Sequence, residues 1–188
     1  MMDIKHKLIV IGGSAGSLEV ILQILPALNP NLNVPVIIVI HRRNSYKSLL
    51  ATLLSTKTGL KVKEAEEKEN ILPGNIYLAP ADYHLLIEKN FTFSLDLSEK
   101  VNYSRPSIDV TFECAAEAYG SNILCILLSG ANSDGVEGLK TVKENGGIAA
   151  IQDPATAEVS FMPLQALQHV AIDHIFKVAE IAHFINNF

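Results

Sequence analysis

The chain has 188 residues, 48% of them hydrophobic and 19% charged, which suits one domain, or two small ones at most, with a large buried core. The net charge of −5 argues against a nucleic-acid-binding protein, because such proteins need a basic face. The apolar runs are far below the roughly 18 residues that a membrane-spanning helix needs, which argues against insertion into a membrane.

The first residues, MMDIKHK, lack the apolar region of a signal peptide. This predicts a cytoplasmic protein whose two thiols, Cys114 and Cys125, stay reduced and pack inside the fold. No cluster of histidine, cysteine and carboxylate side chains has the spacing of zinc ligands. The sequence therefore implies no metal and no other cofactor.

Predicted strands and helices alternate along the first third of the chain. The segment KLIVIGG predicts a strand, and apolar residues at helical spacing from Leu18 to Leu28 predict a helix. VPVIIVIH is a continuous apolar run, typical of a strand buried on both faces. SLLATLLS then predicts a helix that Gly59 ends, and LKVKEAE predicts another strand.

The middle segment, NIYLAPADYHLLIEKNFTFSLDL, contains three short β-like pieces and predicts a hairpin inserted in or beside the main sheet. Further along, SIDVTFECAAEAY predicts a helix, NILCILLSG a buried strand, DGVEGLKTVKENGG a helix and IAAIQDP a strand, before the closing helices PLQALQHV and KVAEIAHFINN. The alternation predicts a single α/β domain over residues 1–188. Its fold would be a doubly wound, mostly parallel sheet flanked by helices in three Rossmann-like layers, with an added β-hairpin.

The loop GGSAGS follows the first predicted strand and is the first candidate site. A dinucleotide-binding loop starting at Gly12 would need glycines where Ser14 and Ser17 stand, and the lysine of a phosphate-binding Walker loop is absent. The loop instead matches G-x-S-x-G, which places Ser14 on a strand-to-helix turn whose N–H groups face a developing oxyanion. The alternative is that Ser14 or Ser17 only caps the following helix.

A serine nucleophile needs a base, and the best candidate is His41, which directly follows the run VPVIIVI. If the first two strands are adjacent and parallel, Ser14 and His41 lie at the same edge of the sheet. The other histidines fall in tails, the hairpin or late helices, where surface or capping contacts are expected; they are His6, His84, His169, His174 and His183.

The base needs a group that orients it, and Asp134 comes shortly after the buried strand NILCILL. Asp109, at a predicted helix start, and Asp153, at a predicted strand end before a proline, are rivals. The resulting order of serine, histidine and aspartate, with the serine on the first strand, is not that of an ordinary α/β-hydrolase.

Several segments together form a combination that is typical of one family. They are IGGSAGS after the first strand, His41 after the second, LAPADYHLLI, RPSIDVTFECAA, LLSGANSDGVEGL and GGIAAIQDPATAEVSFMP. In this order they resemble the catalytic domain of CheB-type protein-glutamate methylesterases. The resemblance covers about residues 7–185, and the set RPSIDV, SG…SDG and QDP…A…MP is specific to that family.

The resemblance implies a serine hydrolase that removes methyl groups from glutamate γ-methyl esters and releases methanol. The implied partners are methyl-accepting chemotaxis receptors, whose signalling helices lie in the cytoplasm, and the implied role is adaptation in chemotaxis. Members can also deamidate receptor glutamines. The serine, histidine and aspartate of the family fall on Ser14, His41 and Asp134.

Two positions depart from the family pattern. The residue after the nucleophile, often threonine, is Ala15, and the methionine of the family's TGM segment is Ala131. With Gly16 these residues are expected to line the oxyanion hole and the pocket, which should be roomier with its chemistry intact. About six residues precede the first strand, so a stand-alone domain without the family's phospho-accepting receiver domain is expected, and phosphorylation in cis is not.

Three alternatives stay open at this point. The chain could be a catalytically weak CheB-like adaptor, which Ala15 and Ala131 motivate, an esterase acting on a protein other than a chemoreceptor, or a nucleotide-binding module. Arg42 and Arg43 directly follow His41 in HRRNSYKS. They are either solvated surface charge or a docking site for glutamate-rich receptor helices.

Overall fold

The structure, a computed structural model, describes residues 6–42 and 49–188. The strands are β1 (Leu8–Gly13), β2 (Val36–Ile40), β3 (Lys61–Glu64), β4 (Asn75–Leu78), β5 (His84–Ile87), β6 (Phe93–Asp96), β7 (Ile123–Leu127), β8 (Ile148–Gln152) and β9 (His174–Phe176). The helices are α1 (Ser17–Ile24), α2 (Leu50–Ser55), α3 (Ile108–Tyr119), α4 (Val136–Glu144), α5 (Phe161–His169) and α6 (Val178–Asn187).

A parallel sheet with the strand order β3-β4-β2-β1-β7-β8-β9 forms the centre of the fold. The chain builds outwards from β1 on one side through β2, and it returns to the other side of β1 with β7. Strand β1 therefore lies at the point where the strand order reverses. In open α/β sheets, binding sites form beside such a reversal, at the carboxyl ends of the strands.

The two faces of the sheet bury separate apolar clusters, because successive side chains of a strand point to opposite faces. Leu8 and Val10 of β1 pack with α3, α4, α5 and the β5–β6 hairpin. Ile9 and Ile11 pack with α1, α2 and α6 on the other face. Burial on both faces explains why β1, β2 and β7 are continuous apolar runs rather than alternating ones.

The predicted doubly wound parallel sheet with an antiparallel hairpin is confirmed, with local differences. The helix predicted over 18–28 ends at Ile24 and continues as a 3-10 turn at Leu25–Ala27, where Pro26 lacks the N–H that another α-helical turn needs. The first of the three β-like pieces is β4 of the main sheet, and only the other two form the hairpin. Strand β9 was missed, because three residues at a sheet edge give no periodic pattern.

Among the helices of the described residues, none combines the length and the hydropathy that crossing a bilayer requires. Cys125 is fully buried in the core, and Cys114 is partly buried on α3 with its thiol 3.1 Å from the Ile87 nitrogen. Burial raises the pKa of the Cys114 thiol to about 12 and that of Cys125 well above its ordinary value. The packing role predicted for both cysteines agrees with these positions.

Candidate active site

Ser14 and His41 follow paired residues of two neighbouring strands. In the register of β1 with β2, Gly13 lies opposite Ile40, and the His41 N–H donates to the Gly13 carbonyl at 3.3 Å. Neighbouring strands are about 4.8 Å apart, so the two residues leave the sheet side by side at its carboxyl edge. The Ser14 N–H donates to the Ser129 carbonyl at 2.9 Å, which ties the loop to the segment that follows β7.

The two serines of the loop have different surroundings. The Ser17 side chain is buried and its hydroxyl donates to the Ser14 carbonyl at 2.6 Å. The Ser14 hydroxyl has no hydrogen-bond partner among the described residues, and no side chain caps α1. Gly16, the residue before the helix, has a φ of 79° and lies against Glu158, so a side chain there would be strained and would clash. The capping alternative therefore does not fit Ser14.

His41 is held on Asp134 by a hydrogen bond of 2.6 Å between Nε2 and Oδ2. Because an ionised carboxylate only accepts, Nε2 carries the proton and Nδ1 keeps its lone pair. Nδ1 is 3.3 Å from the hydroxyl of Ser104, which can donate to it. His41 is thereby fixed in one orientation and one tautomer, with its basic nitrogen in contact with a hydroxyl.

The Asp134 carboxylate is fully buried and saturated with donors. Besides His41, it accepts the N–H groups of Ile108 at 2.7 Å and Asp109 at 3.1 Å, which belong to the first turn of α3. The hydroxyl of Ser107 donates to it at 2.8 Å and the amide of Asn102 at 3.1 Å. Burial raises the pKa of this carboxyl, but the bonds from His41, Ile108, Ser107 and Asn102 outweigh burial, so that the pKa lies below its ordinary value.

Gly12 lets the start of α3 come this close. A Cβ at Gly12 would lie 2.4 Å from Cγ2 of Ile108, the residue whose N–H binds Asp134. A larger residue at the end of β1 would push α3 away from the sheet edge. The glycine-rich loop therefore positions Ser14 and also lets the start of α3 reach Asp134.

Asp109, one of the two rival aspartates, is buried, and none of its hydrogen bonds within the described residues is to His41. Its carboxylate accepts the N–H groups of Gly135 at 2.8 Å and Gly138 at 2.7 Å at the start of α4, and the Asn102 amide at 2.7 Å. Burial, assisted by the neighbouring charge of Asp134, raises the pKa of Asp109 to about 7 despite these bonds. The second rival, Asp153, only caps the short turn Pro154–Thr156, with a bond of 2.9 Å from the Ala155 N–H.

Comparison with known proteins identifies the family of this fold. A family model described as CheB methylesterase matches residues 9–185. The chain belongs to the CheB methylesterase family. The resemblance inferred from the sequence motifs is thereby confirmed.

Similar CheB proteins cover the chain almost completely. A putative protein-glutamate methylesterase/protein-glutamine glutaminase of Leptospira interrogans is 46% identical over 177 residues, which span 94% of this chain and 92% of that protein. The protein-glutamate methylesterase/protein-glutamine glutaminase of Thermotoga maritima is 34% identical over 95% of this chain, but over only 53% of its own length. The crystal structure of the Thermotoga maritima CheB methylesterase catalytic domain matches with a TM-score of 0.93 and 34% identity, covering 98% of this chain and 99% of that one.

Three backbone N–H groups, two just after Ser14 and one after β7, are left without an acceptor among the described residues. Within the described part of the chain, the N–H groups of Ala15, Gly16 and Ala131 donate to no acceptor. Ala15 and Gly16 lie between Ser14 and α1, where the positive end of the helix dipole adds to the field. These are the residues that the sequence analysis expected to line the oxyanion hole of a CheB enzyme.

An open cleft of about 610 Å³ lies beside His41. Its lining comprises His41, Arg42, Asp82, Lys100, Tyr103, Ser104 and Arg105. Arg42 is mostly buried, forms an ion pair with Glu64 and donates to the Ala79 carbonyl at 3.2 Å, so it is more constrained than a solvated surface charge. Arg43 lies outside the described residues, and a docking role for the two arginines stays a prediction.

Sequence reasoning missed Asn102, Ser104 and Ser107, which all contact His41 or Asp134. Ser107 lies in the segment RPSIDV and could have been found there, whereas Asn102 and Ser104 belong to a loop without any periodic signal.

His84 is fully buried: its Nδ1 accepts the Ser107 N–H at 3.2 Å, and its Nε2 lies 2.9 Å from the Glu99 carbonyl. His84 is therefore a core residue that supports the segment before α3, and it makes neither the surface nor the capping contact that was expected.

The described residues contain no group of three or more histidine, cysteine and carboxylate side chains that could hold a metal ion. The polar atoms at the carboxyl edge are committed to one another instead: Asp134 to His41 and to the start of α3, and Asp109 to the start of α4. His41 can therefore accept and return a proton at Nδ1, at the end of the strand that neighbours the one leading to Ser14.

Proposed function

We propose that this CheB-family chain is a serine hydrolase that demethylates glutamate γ-methyl esters on chemoreceptors and releases methanol. The observation that carries the proposal is that His41, bonded to the fully buried Asp134, leaves the sheet beside Ser14. The named relatives support the substrate, since they are protein-glutamate methylesterases. The site of action would then be the cytoplasmic signalling helices of the receptors.

The first half of the reaction is attack by Ser14. Its hydroxyl replaces that of Ser104 as the partner of His41 Nδ1, gives up its proton to this nitrogen and bonds to the ester carbonyl carbon. His41 becomes an imidazolium, and the buried charge of Asp134 at Nε2 stabilises it. Because Asp134 keeps a lowered pKa, it stays ionised and holds the imidazole without taking the proton itself.

The negative charge that develops on the carbonyl oxygen needs donors. The N–H groups of Ala15, Gly16 and Ala131 supply them, because each is a backbone group that the side-chain departures at Ala15 and Ala131 leave intact. Such donors cost no reorganisation during the reaction, and removing a single one typically costs about 10²- to 10³-fold in rate. The small side chains widen the pocket and leave this chemistry unchanged.

The acyl-enzyme forms when His41 returns the proton to the methoxy oxygen and methanol leaves. Water then gives a proton to Nδ1 and adds to the acyl carbon. As this intermediate collapses, His41 passes that proton to the Ser14 oxygen, and the released glutamate loses its carboxyl proton to solvent. The same steps on a glutamine side chain release ammonia. Deamidation is therefore part of the proposal, in agreement with the glutaminase in the relatives' names.

A second candidate function, a weakly active CheB-like adaptor, is favoured by one observation. Nδ1 of His41 lies 3.3 Å from the Ser104 hydroxyl, while the Ser14 hydroxyl has no partner among the described residues. If Ser104 held the base permanently, Ser14 would stay inactive. If the chain is such an adaptor, Ser104→Ala should raise its esterase rate, because His41 is released for Ser14. If the chain is an active enzyme, Ser104→Ala should leave the esterase rate unchanged or lower it.

The test of the proposed function measures methyl loss from a methylated chemoreceptor cytoplasmic fragment by mass spectrometry, alongside hydrolysis of p-nitrophenyl acetate. Wild type should demethylate the fragment and Ser14→Ala should not. Ser121→Ala is the matched control, because Ser121 is exposed at the opposite edge of the sheet, before β7. Hydrolysis of the small ester without methyl loss would favour an esterase for another protein, and inactivity on both would favour the adaptor.

A further inference from the structure

A strained turn carries the groups that surround His41 and Asp134. Residues 101–104 form a tight hairpin, in which the Val101 N–H donates to the Ser104 carbonyl at 3.2 Å and the Ser104 N–H donates to the Val101 carbonyl at 2.9 Å. The two central residues, Asn102 and Tyr103, have φ values of 50° and 61°. Turns of this kind favour asparagine, aspartate and glycine at both positions, so Asn102 fits and Tyr103 does not.

The turn cannot relax without disturbing the site, because its neighbours anchor it. On one side of Tyr103, the Asn102 amide donates to Asp134 at 3.1 Å and to Asp109 at 2.7 Å. On the other side, the Ser104 hydroxyl lies 3.3 Å from His41 Nδ1. The position of Tyr103 relative to the reacting atoms is therefore set by contacts on both sides.

The side chain of Tyr103 makes little stabilising contact with the rest of the fold. Its side chain is 97% exposed, so burial does not offset the left-handed backbone. Glycine would adopt this backbone without strain, and asparagine would adopt it more readily than tyrosine does. A large aromatic side chain at this position is thus unexplained by stability.

The surroundings of Tyr103 point to the kind of partner it meets. The cleft that it lines with His41 contains the cationic side chains of Lys100 and Arg105 and one acidic side chain, Asp82, while the charge of Arg42 is paired with Glu64. This local excess of positive charge occurs on a chain whose net charge is −5. Such a surface complements an acidic segment and not a basic one.

We propose that Tyr103 is a specificity-determining residue, a rigid aromatic surface against which an acidic helical segment of the protein substrate packs while its ester side chain reaches Ser14. Tyrosine suits this task because it offers a large contact area and loses little conformational freedom on binding. The inference rests on the proposed function, since it assumes a protein substrate. It adds a residue that contacts the substrate outside the reacting ester.

The experiment compares kcat/KM on the methylated receptor fragment with kcat/KM on p-nitrophenyl acetate for wild type, Tyr103→Gly and Tyr103→Phe. Tyr103→Gly should lower the receptor-to-small-ester ratio by about tenfold or more, mainly through KM, as expected for the loss of an aromatic anchor. Tyr103→Phe should restore most of the ratio. The thermal unfolding midpoint of Tyr103→Gly should not fall, because the strain is relieved.

Lys68→Gly is the matched control, because Lys68 is another exposed residue with a positive φ, of 60°, and lies beside the β5–β6 hairpin away from the cleft. It should keep the wild-type ratio. An unchanged ratio in Tyr103→Gly with active wild type overturns the inference and leaves the proposed function intact. Equal losses on both substrates, or a lower midpoint, overturn it too and make Tyr103 a structural residue. Failure of wild type to demethylate the receptor overturns the proposed function and this inference with it.

Discussion

The starts of α3 and α4 each hold a buried carboxylate that comes from the entry of the other helix. Asp134, just before α4, accepts N–H groups at the start of α3, and Asp109, in the first turn of α3, accepts N–H groups at the start of α4. The Asn102 amide donates to both. The two regions therefore have the same design, and they differ in the other hydrogen-bond donors that contact each carboxylate.

The pKa values of Asp134 and Asp109 nevertheless shift in opposite directions. Burial raises the pKa of both carboxyls, but Asp134 also receives His41 and the Ser107 hydroxyl, and its pKa ends below the ordinary value. Asp109 has neither of these donors and faces the charge of Asp134, and its pKa rises to about 7. Both carboxyls accept N–H groups at a helix start, so the opposite pKa shifts come from the further donors to Asp134, first His41 and then Ser107, and from the Asp134 charge beside Asp109.

The largest expected effect tests whether His41 works with Ser14. Ser14→Ala and His41→Ala should each lower kcat for p-nitrophenyl acetate by about 10⁴-fold or more, and the double variant should be barely worse than either single one. The reason is that neither residue acts without the other. Steady-state kinetics of the three variants measure this, and losses that multiply in the double variant would show that one of the residues works outside the pair.

The next effect contrasts the two aspartates directly. Asp134→Asn should lower kcat by roughly 10³- to 10⁴-fold, because an amide no longer favours the tautomer that leaves Nδ1 basic. Asp109→Asn keeps an oxygen for Gly135 and Gly138 and should lower kcat by about tenfold at most. Circular dichroism should report folded protein for both. Equal losses of kcat in two folded variants would contradict the assignment of Asp134 as the aspartate that orients His41.

A smaller effect concerns stability against pH. The folded pKa of Asp109 is about 7, whereas an unfolded aspartate titrates near 3.9. Between these two pKa values Asp109 is protonated in the folded state and ionised in the unfolded state. The stabilisation that is fully present below pH ~4 is therefore lost progressively as the pH rises through about 7. The unfolding free energy of wild type should therefore fall from pH 5 to pH 8 more steeply than that of Asp109→Asn, as measured by urea denaturation. Parallel slopes would mean that Asp109 is ionised throughout.

The smallest effect extends the comparison to a partly exposed carboxylate, that of Glu64. Glu64 pairs with the mostly buried Arg42 at the cleft, and because Glu64 itself is partly solvated the pair contributes only on the order of 1 kcal/mol. Arg42→Glu combined with Arg43→Glu should weaken activity on the receptor fragment by a few-fold, most clearly at low salt, while p-nitrophenyl acetate responds less. Equal losses on both substrates at every salt concentration would show that Arg42 supports the His41 segment instead of docking the substrate.

The sequence by itself determined the parts that depend on local pattern. Continuous apolar runs predicted β1, β2 and β7, and the glycines around Ser14 predicted a sharp turn. The parallel arrangement then brought Ser14 and His41 to the same edge, because the carboxyl ends of parallel strands lie together. The motif combination also indicated the CheB methylesterase family, which the comparisons confirmed.

The family motifs implied Asp134, but local pattern left Asp109 as a rival, and only the tertiary structure shows the contact between Asp134 and His41. Asp134 and Asp109 both follow helix-start signals in the sequence, and the choice depends on how close α3 comes to β1 beside Gly12. The strain at Tyr103 was hidden because a tyrosine gives no signal of a left-handed turn, and the pairing of Arg42 with Glu64 was hidden because it joins segments distant in the sequence. Local pattern encodes burial and turns, whereas hydrogen-bond partners and charge environments depend on long-range packing that one segment does not contain.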